Sequence, residues 1–177
     1  KKALDAYKKA TLPKSYWDWG EHIDSNSTGA FPYTPATNLL FGLNEAILML
    51  KEEGLDHVFA RHKRYAEATR LAVQTWGLEV LCENEDDFSN TLTAVLLPDG
   101  HNADEFRSIV LDNFNMSLGN GLSRLAGKVF RIGHLGDFND LMLVATLGGI
   151  EMGLSKSSVP HQIGGTQAAM QFLKQGT

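Results

Sequence analysis

Apolar residues follow a helical spacing at both ends of the chain. In residues 36–53 they recur every three or four positions, as on one face of an amphipathic helix, and a second stripe runs through residues 56–76. Gly54 and Gly77 follow these two stretches, and glycine is the residue that most readily ends a helix. Further helical stripes occupy residues 102–114, 138–156 and 166–174.

Short apolar runs between these helices predict four β-strands, at residues 78–82, 91–97, 116–118 and 129–133. Turns or single helices separate the strands, and helices collect at both ends. This order is typical of an α+β fold with two layers, in which helices cover one face of a small, mostly antiparallel sheet. We expect a boundary near residue 55, with residues 1–54 belonging to a larger body and residues 55–177 forming a small domain.

Composition excludes several classes of partner. The net charge is -5, with 16 basic and 21 acidic residues, so the chain has no excess of positive charge for nucleic acid or anionic lipid. Cys82 is the single cysteine, which excludes an intrachain disulfide. With no run of eighteen apolar residues, we expect no membrane association and a cytoplasmic location.

Patterns typical of metal sites and phosphate loops do not occur. His57 and His62 are five residues apart, so they do not share a helix face, and both are expected to be solvated rather than metal ligands. The glycines at 119 and 121 do not complete a dinucleotide-binding pattern and predict a tight turn. We therefore predict no metal site.

The start of the helix at residues 36–53 is one candidate binding site. The preceding segment, residues 31–35 (FPYTP), places hydroxyl groups where free backbone N–H groups and the helix dipole favour an anion. Thr34 is also a good N-cap, with Pro35 at the first helical position. The pattern is compatible with two interpretations of Thr34: a plain N-cap without a ligand, or a threonine that also binds a phosphate.

Arg131 is the other candidate, because it lies inside an apolar strand that ends between glycines, in residues 127–136 (GKVFRIGHLG). A guanidinium suits a carboxylate held by two hydrogen bonds. Strand alternation places Arg131 on the face opposite Phe130 and Ile132, where a solvent-exposed arginine is equally compatible with the pattern.

Four segments of the chain resemble the class V aminotransferases, especially the serine-glyoxylate and alanine-glyoxylate enzymes. They are residues 16–19 (YWDW), 28–36 (TGAFPYTPA), 119–122 (GNGL) and 127–136 (GKVFRIGHLG). The resemblance covers nearly the whole chain and implies the C-terminal part of a fold-type I enzyme that depends on pyridoxal 5'-phosphate. Residues 1–54 would be the end of the large cofactor-binding domain with the interdomain helix, and residues 55–177 the C-terminal small domain.

The resemblance also implies roles for individual residues. Arg131 corresponds to the arginine that binds the substrate α-carboxylate. Thr34 corresponds to a threonine that contacts the cofactor phosphate from the neighbouring subunit, which implies a homodimer. Many relatives carry a tyrosine where this chain has Phe31, and Tyr33 is the tyrosine that we assign to cofactor binding here.

The implied reaction transfers an amino group from serine or alanine to glyoxylate, so the partners are amino-acid and 2-oxo-acid substrates. In this family a lysine upstream of the region matching Lys1 forms the Schiff base with the cofactor. We therefore expect no catalytic residue in this chain and no activity of the chain alone. The alternative is a non-catalytic binding or dimerisation module derived from such an enzyme, and the sequence leaves the preferred amino donor open.

Overall fold

The structure, a computed structural model that describes residues 1–175, divides into two units. The first unit is Lys1–Glu52, and the second begins at Glu53. The first unit consists of helices, and the second contains a sheet covered by helices.

The first unit contains helices α1 (Lys2–Tyr7), α2 (Trp19–Ser27) and most of α3 (Thr37–Glu53). Asp18 is the N-cap of α2, since its carboxylate accepts hydrogen bonds from the amides of Gly20 at 2.9 Å and Glu21 at 3.2 Å. The hydroxyl of Tyr7 donates to the same carboxylate at 2.5 Å. None of the three helices contains a buried residue. Hydrogen bonds and caps therefore define this unit locally, without a hydrophobic core.

Helix α3 begins later than the cap pattern predicts. The amide of Leu40 donates to the carbonyl of Ala36 at 3.1 Å, which makes Ala36 the residue before the first helical turn. Thr34 lies two residues before Ala36, so its prediction as the N-cap is wrong. The amide of Thr37 donates to the carbonyl of Pro35 at 2.8 Å, so a turn separates Thr34 from the start of the helix.

The second unit is built on a four-stranded sheet with the order β1-β2-β4-β3, in which every neighbouring pair is antiparallel. The strands are β1 (Glu79–Val80), β2 (Leu92–Leu96), β3 (Gly119–Asn120) and β4 (Val129–Gly133). The helices of this unit are α4 (Leu55–Thr75), α5 (Ala103–Phe114), α6 (Asp140–Lys156) and α7 (Gly165–Gln175). The predicted α+β fold with an antiparallel sheet is confirmed.

Helices cover one face of this sheet. Val95, Phe130 and Ile132 are fully buried on that face. They share one core with buried residues of the helices, and the ring of Phe130 lies 4.8 Å from that of Phe106 on α5. The opposite face carries Ala94 and Arg131, which are only partly buried. The alternation of β4 therefore places its one charged residue outside the core.

Candidate functional site

Arg131 lies at the middle of β4, between two small residues on the neighbouring strands. It is paired with Ala94 on β2 and with Gly119 on β3. The arginine side chain is half-buried, although it lies on the sheet face that the helices leave uncovered. The structure therefore differs from the simple picture of a solvated arginine on an open surface.

The Nε atom of Arg131 is buried and has no hydrogen-bond partner among residues 1–175. Three arginines of the second unit, Arg61, Arg64 and Arg107, each form an ion pair with a carboxylate, although Arg64 Nε also lacks a hydrogen-bond partner. Leaving a buried donor unpaired costs about 1–3 kcal/mol, and more for a charged group. A half-buried guanidinium with an unpaired donor is thus suited to bind an anion.

Helix α4 fixes the loop that follows Arg131. Arg61 Nη1 donates to the carbonyls of Gly136 at 2.8 Å and Phe138 at 3.3 Å. The amide of Gly136 donates to His62 Nε2 at 3.1 Å. Because Nε2 accepts this bond, the imidazole hydrogen lies on Nδ1, which donates to the carbonyl of Val58 at 2.7 Å. The end of β4 is therefore held by two consecutive side chains of α4.

The structure corrects the prediction for His62, which is half-buried and hydrogen-bonded rather than solvated. His57 is exposed, and its Nδ1 lies 3.0 Å from the carbonyl of Glu53 in the preceding turn. The spacing of the two histidines indicates only that they face different directions. It does not indicate that one of them meets a loop 74 residues away in sequence.

Arg61 is held in place by a two-point ion pair with Glu53. Its Nε and Nη2 donate to the two carboxylate oxygens at 2.6 Å and 2.7 Å. The hydrogen bonds from Arg61 lower the pKa of the Glu53 carboxyl, so the pair stays charged near neutral pH. The guanidinium thus connects Glu53, the last residue of α3, with the loop after β4.

A buried histidine follows β4 directly. His134 is fully buried, and its Nε2 lies 2.9 Å from the hydroxyl of Thr93 on β2. Burial lowers the pKa of His134 to about 4, so the ring is neutral at physiological pH. Sequence reasoning missed this contact, although the position of a histidine between an apolar strand and glycines is compatible with a buried ring.

Tyr33 and Thr34 lie in the first unit, three to four residues before the start of α3, and both are exposed. The hydroxyl of Tyr33 is 3.2 Å from that of Ser15, and its ring lies 5.2 Å from Tyr16. Helix α3 has no acidic residue in its first turn. Since the first amides of a helix have no intrahelical acceptor, this donor set is chemically suited to a phosphate group.

The described residues contain no cluster of three or more histidine, cysteine, aspartate or glutamate side chains able to hold a metal ion. None of the helices in residues 1–175 is both long and apolar enough to cross a bilayer. The two candidate groups are an arginine on the sheet of the second unit and, separately, hydroxyl groups before a helix of the first unit.

Comparison with known proteins gives a consistent set of relatives. The chain is 43% identical over 175 residues to a serine-glyoxylate aminotransferase of Arabidopsis thaliana, covering 98% of this chain and 44% of that protein. The structure of a ureidoglycine-glyoxylate aminotransferase from Bacillus subtilis matches with a TM-score of 0.86 and 25% identity, covering 98% of this chain and 45% of that one. An alanine-glyoxylate aminotransferase from Nostoc sp. matches with a TM-score of 0.77 and 25% identity, covering 87% and 42% of the two chains.

No family model matches the chain. The chain spans a little less than half the length of the relatives that it matches. The names of all three proteins describe an aminotransferase that uses glyoxylate, and they differ in the amino donor.

Proposed function

We propose that this chain, which belongs to the class V aminotransferases of the serine-glyoxylate and alanine-glyoxylate type, is the C-terminal portion of an enzyme that transfers an amino group to glyoxylate. Its role is to hold the amino-acid and 2-oxo-acid substrates by their carboxylate group. The observation that carries the proposal is the half-buried Arg131 with its unpaired Nε.

Arg131 binds the substrate α-carboxylate in this proposal. A carboxylate is planar and accepts two parallel hydrogen bonds, which a guanidinium donates from two of its nitrogens. The amino acid and the 2-oxo acid of a transamination both carry this group, so one arginine serves both half-reactions. Fixing the carboxylate also fixes the orientation of the Cα–H bond relative to the reacting centre.

Thr34 and Tyr33 contribute to binding of the pyridoxal 5'-phosphate. The Thr34 hydroxyl donates a hydrogen bond to a phosphate oxygen, and the positive end of the α3 dipole stabilises the charge of the phosphate. When bound, the cofactor supplies the electron sink for the transfer of the amino group. The protein residues bind and orient the reactants around it.

The first unit is the end of the large cofactor-binding domain together with the interdomain helix. Its helices contain no buried residue, and α3 exposes large apolar side chains such as Leu39, Phe41 and Leu43. Such a surface is typical of an element that packs on a larger body. In this proposal the enzyme is a cytoplasmic homodimer, Thr34 acts toward the neighbouring subunit, and the lysine that binds the cofactor lies outside this chain.

The proposal is tested with the full-length protein that contains this chain, loaded with pyridoxal 5'-phosphate. Serine and glyoxylate are expected to yield hydroxypyruvate and glycine, and alanine and ureidoglycine serve as competing donors because the relatives differ in this respect. A protein that retains the cofactor but converts none of these donors with glyoxylate would contradict the proposal.

A further inference from the structure

We infer that Gly119 is a positioning residue for Arg131, because the missing side chain at position 119 leaves the space that the arginine stem occupies. The inference rests on the proposed role of Arg131 as the carboxylate anchor. Gly119 and Arg131 are directly paired across β3 and β4, so their side-chain positions lie on the same face of the sheet.

A methyl group at position 119 would be crowded by the arginine, which would have to give way by a few tenths of an ångström. An ideal Cβ at Gly119 would lie 3.0 Å from Arg131 Cβ and 3.1 Å from Arg131 Nε. Directly opposite Cβ atoms in an antiparallel pair are normally about 4.5–5.5 Å apart. The two strands therefore approach unusually closely at this pair, and the arginine stem crosses the Cα of Gly119.

The backbone of Gly119 does not itself require glycine. Its φ angle is outside the left-handed region, which in this chain is occupied by glycines such as Gly100 and Gly127. Glycine in a strand is destabilising by about 0.5–1 kcal/mol relative to alanine. A strand glycine without a backbone requirement often marks a close approach, and here the approaching group is Arg131.

Gly121, the other glycine of this motif, has a different role. A Cβ at Gly121 would overlap the backbone carbonyl of Leu125. That contact involves the backbone of the following turn and no functional side chain. Glycine at position 121 therefore meets a requirement of the fold, whereas glycine at position 119 meets a requirement of the arginine.

Moving β3 away to relieve the crowding at Gly119 would stretch hydrogen bonds at both of its ends. The amide of Gly121 donates to the carbonyl of Val129 at 3.1 Å, and Arg107 Nε donates to the carbonyl of Leu118 at 2.8 Å. These bonds hold both ends of β3. Arg131 Cβ is fixed by its own backbone, so the Nε contact is relieved by rotating the side chain, which displaces the guanidinium.

The test compares Gly119→Ala with Gly148→Ala in the full-length holoenzyme. Gly148 lies in α6, where a Cβ would have one contact, at 4.0 Å to Thr166, so it controls for adding a methyl group. Binding of 3-hydroxypropanoate, which is serine without its amino group, is measured by calorimetry, and kcat/KM is measured for serine. We expect Gly119→Ala to weaken binding and to lower kcat/KM by about tenfold to a hundredfold, as for a misplaced positioning group.

The decisive measurement repeats Gly119→Ala in an Arg131→Ala background, where Nε is absent. We expect no further loss of affinity there, and an equal loss in both backgrounds would overturn the inference. If Arg131→Ala alone leaves the affinity unchanged, the anchor role of Arg131 fails first. If Arg131→Ala weakens binding but Gly119→Ala does not, only the positioning role fails.

Stability provides a second measurement in case Gly119→Ala folds poorly. Gly119→Ala should lower Tm less in the Arg131→Ala background than in the wild type, because the Nε contact is gone. An equal loss of Tm in both backgrounds, or a double variant that also fails to fold, would show that the strand pair and not the arginine requires glycine, and would overturn the inference.

Discussion

His62 accepts a hydrogen bond from the backbone amide of Gly136 at 3.1 Å, and this bond joins helix α4 to the loop that follows the strand of Arg131. The neighbouring Arg61 donates to two carbonyls of the same loop. The direction of the strand end therefore depends on side chains that lie far away in sequence. This connection leads to a first prediction about stability.

Replacing His62 by alanine should lower the free energy of unfolding by about 0.5–1.5 kcal/mol, because the variant loses the hydrogen bond to the Gly136 amide. His57→Ala is the matched control, since His57 is an exposed histidine of the same helix. The control should change stability by less than about 0.5 kcal/mol. Thermal or urea unfolding measures both, and equal effects of the two variants would contradict the role of His62.

The buried ring of His134 predicts a loss of stability in mild acid. Its pKa is lowered to about 4 in the folded protein, whereas an unfolded histidine titrates near 6.5. Between these values the unfolded chain binds more protons than the folded one, so stability falls as the pH falls from about 6.5 to about 4. The total decrease in the free energy of unfolding caused by this histidine is about 3 kcal/mol.

Carboxylates affect stability at lower pH than His134 does, so the two contributions to the pH dependence can be distinguished. Burial tends to raise the pKa of Glu151, but hydrogen bonds from the amides of Gly164 and Thr166 outweigh it and lower the pKa to about 2. Its stabilising contribution is therefore complete above an unfolded pKa of about 4.5 and is lost only below it. Unfolding measured from pH 7 to pH 5 isolates the histidine. A His134→Gln variant should show a flatter profile in this range, and a slope identical to the wild type would exclude His134 as its source.

The fold could be predicted from the sequence because its main elements have local signals. The helical stripes and the apolar run of β4 are visible in the spacing of residues, and the strand alternation placed Arg131 on the face opposite Phe130. The shorter strands were less well defined: a run predicted at residues 116–118 gave way to a two-residue strand at Gly119–Asn120. Pairing with β4 decides that register, and a partner strand is not visible in a local pattern.

The candidate site was less predictable than the fold. Arg131 could be singled out as a charge within an apolar strand, but its half-burial depends on Gly119 and Ala94 on two other strands. The sequence likewise gave no sign that Arg61 and His62 hold the loop after β4, since these contacts span about 75 residues. Thr34 shows the opposite error, because a favourable cap pattern did not set the start of the helix, which follows a turn between Pro35 and Thr37.

Thr34→Val is expected to weaken retention of pyridoxal 5'-phosphate in the full-length enzyme. Losing one hydrogen bond to a charged phosphate costs about 1.5–3 kcal/mol, which raises Kd about tenfold to a hundredfold. Thr37→Val is the control, since the Thr37 hydroxyl already donates to the carbonyl of Pro35 at 3.3 Å. Dialysis with absorbance of the released cofactor measures retention. Equal Kd values for wild type and Thr34→Val would exclude a phosphate contact by this hydroxyl.

The lysines of this chain are expected to remain unmodified when the cofactor is fixed to the full-length enzyme by borohydride reduction. Lys1 and Lys2 are exposed and lie at the start of a six-residue surface helix, which does not resemble a cofactor pocket. Peptide mapping after reduction should find the label on a lysine outside residues 1–177. A stoichiometric label on any lysine of this chain would contradict the proposal that the cofactor lysine lies elsewhere.

Arg131→Lys is expected to impair the full-length enzyme although it keeps the positive charge. The ammonium is a point charge and loses the planar two-point grip of the guanidinium, so the amino acid binds loosely and its Cα–H bond is misaligned. We expect kcat/KM for serine to fall by about one to three orders of magnitude, which corresponds to about 1.5–4 kcal/mol of lost positioning.

Amines without a carboxylate provide the internal control for Arg131→Lys, because they have no group for the arginine to bind. Their kcat/KM should be nearly the same in the variant and the wild type. Steady-state rates with serine and with ethanolamine, which is serine without its carboxylate, separate two roles of the residue. A carboxylate anchor lowers the rate for serine only, whereas an arginine that merely supports the sheet lowers both rates or neither. The buried Nε without a partner favours the first outcome, since a bound carboxylate would give the guanidinium an acceptor that the described residues do not provide.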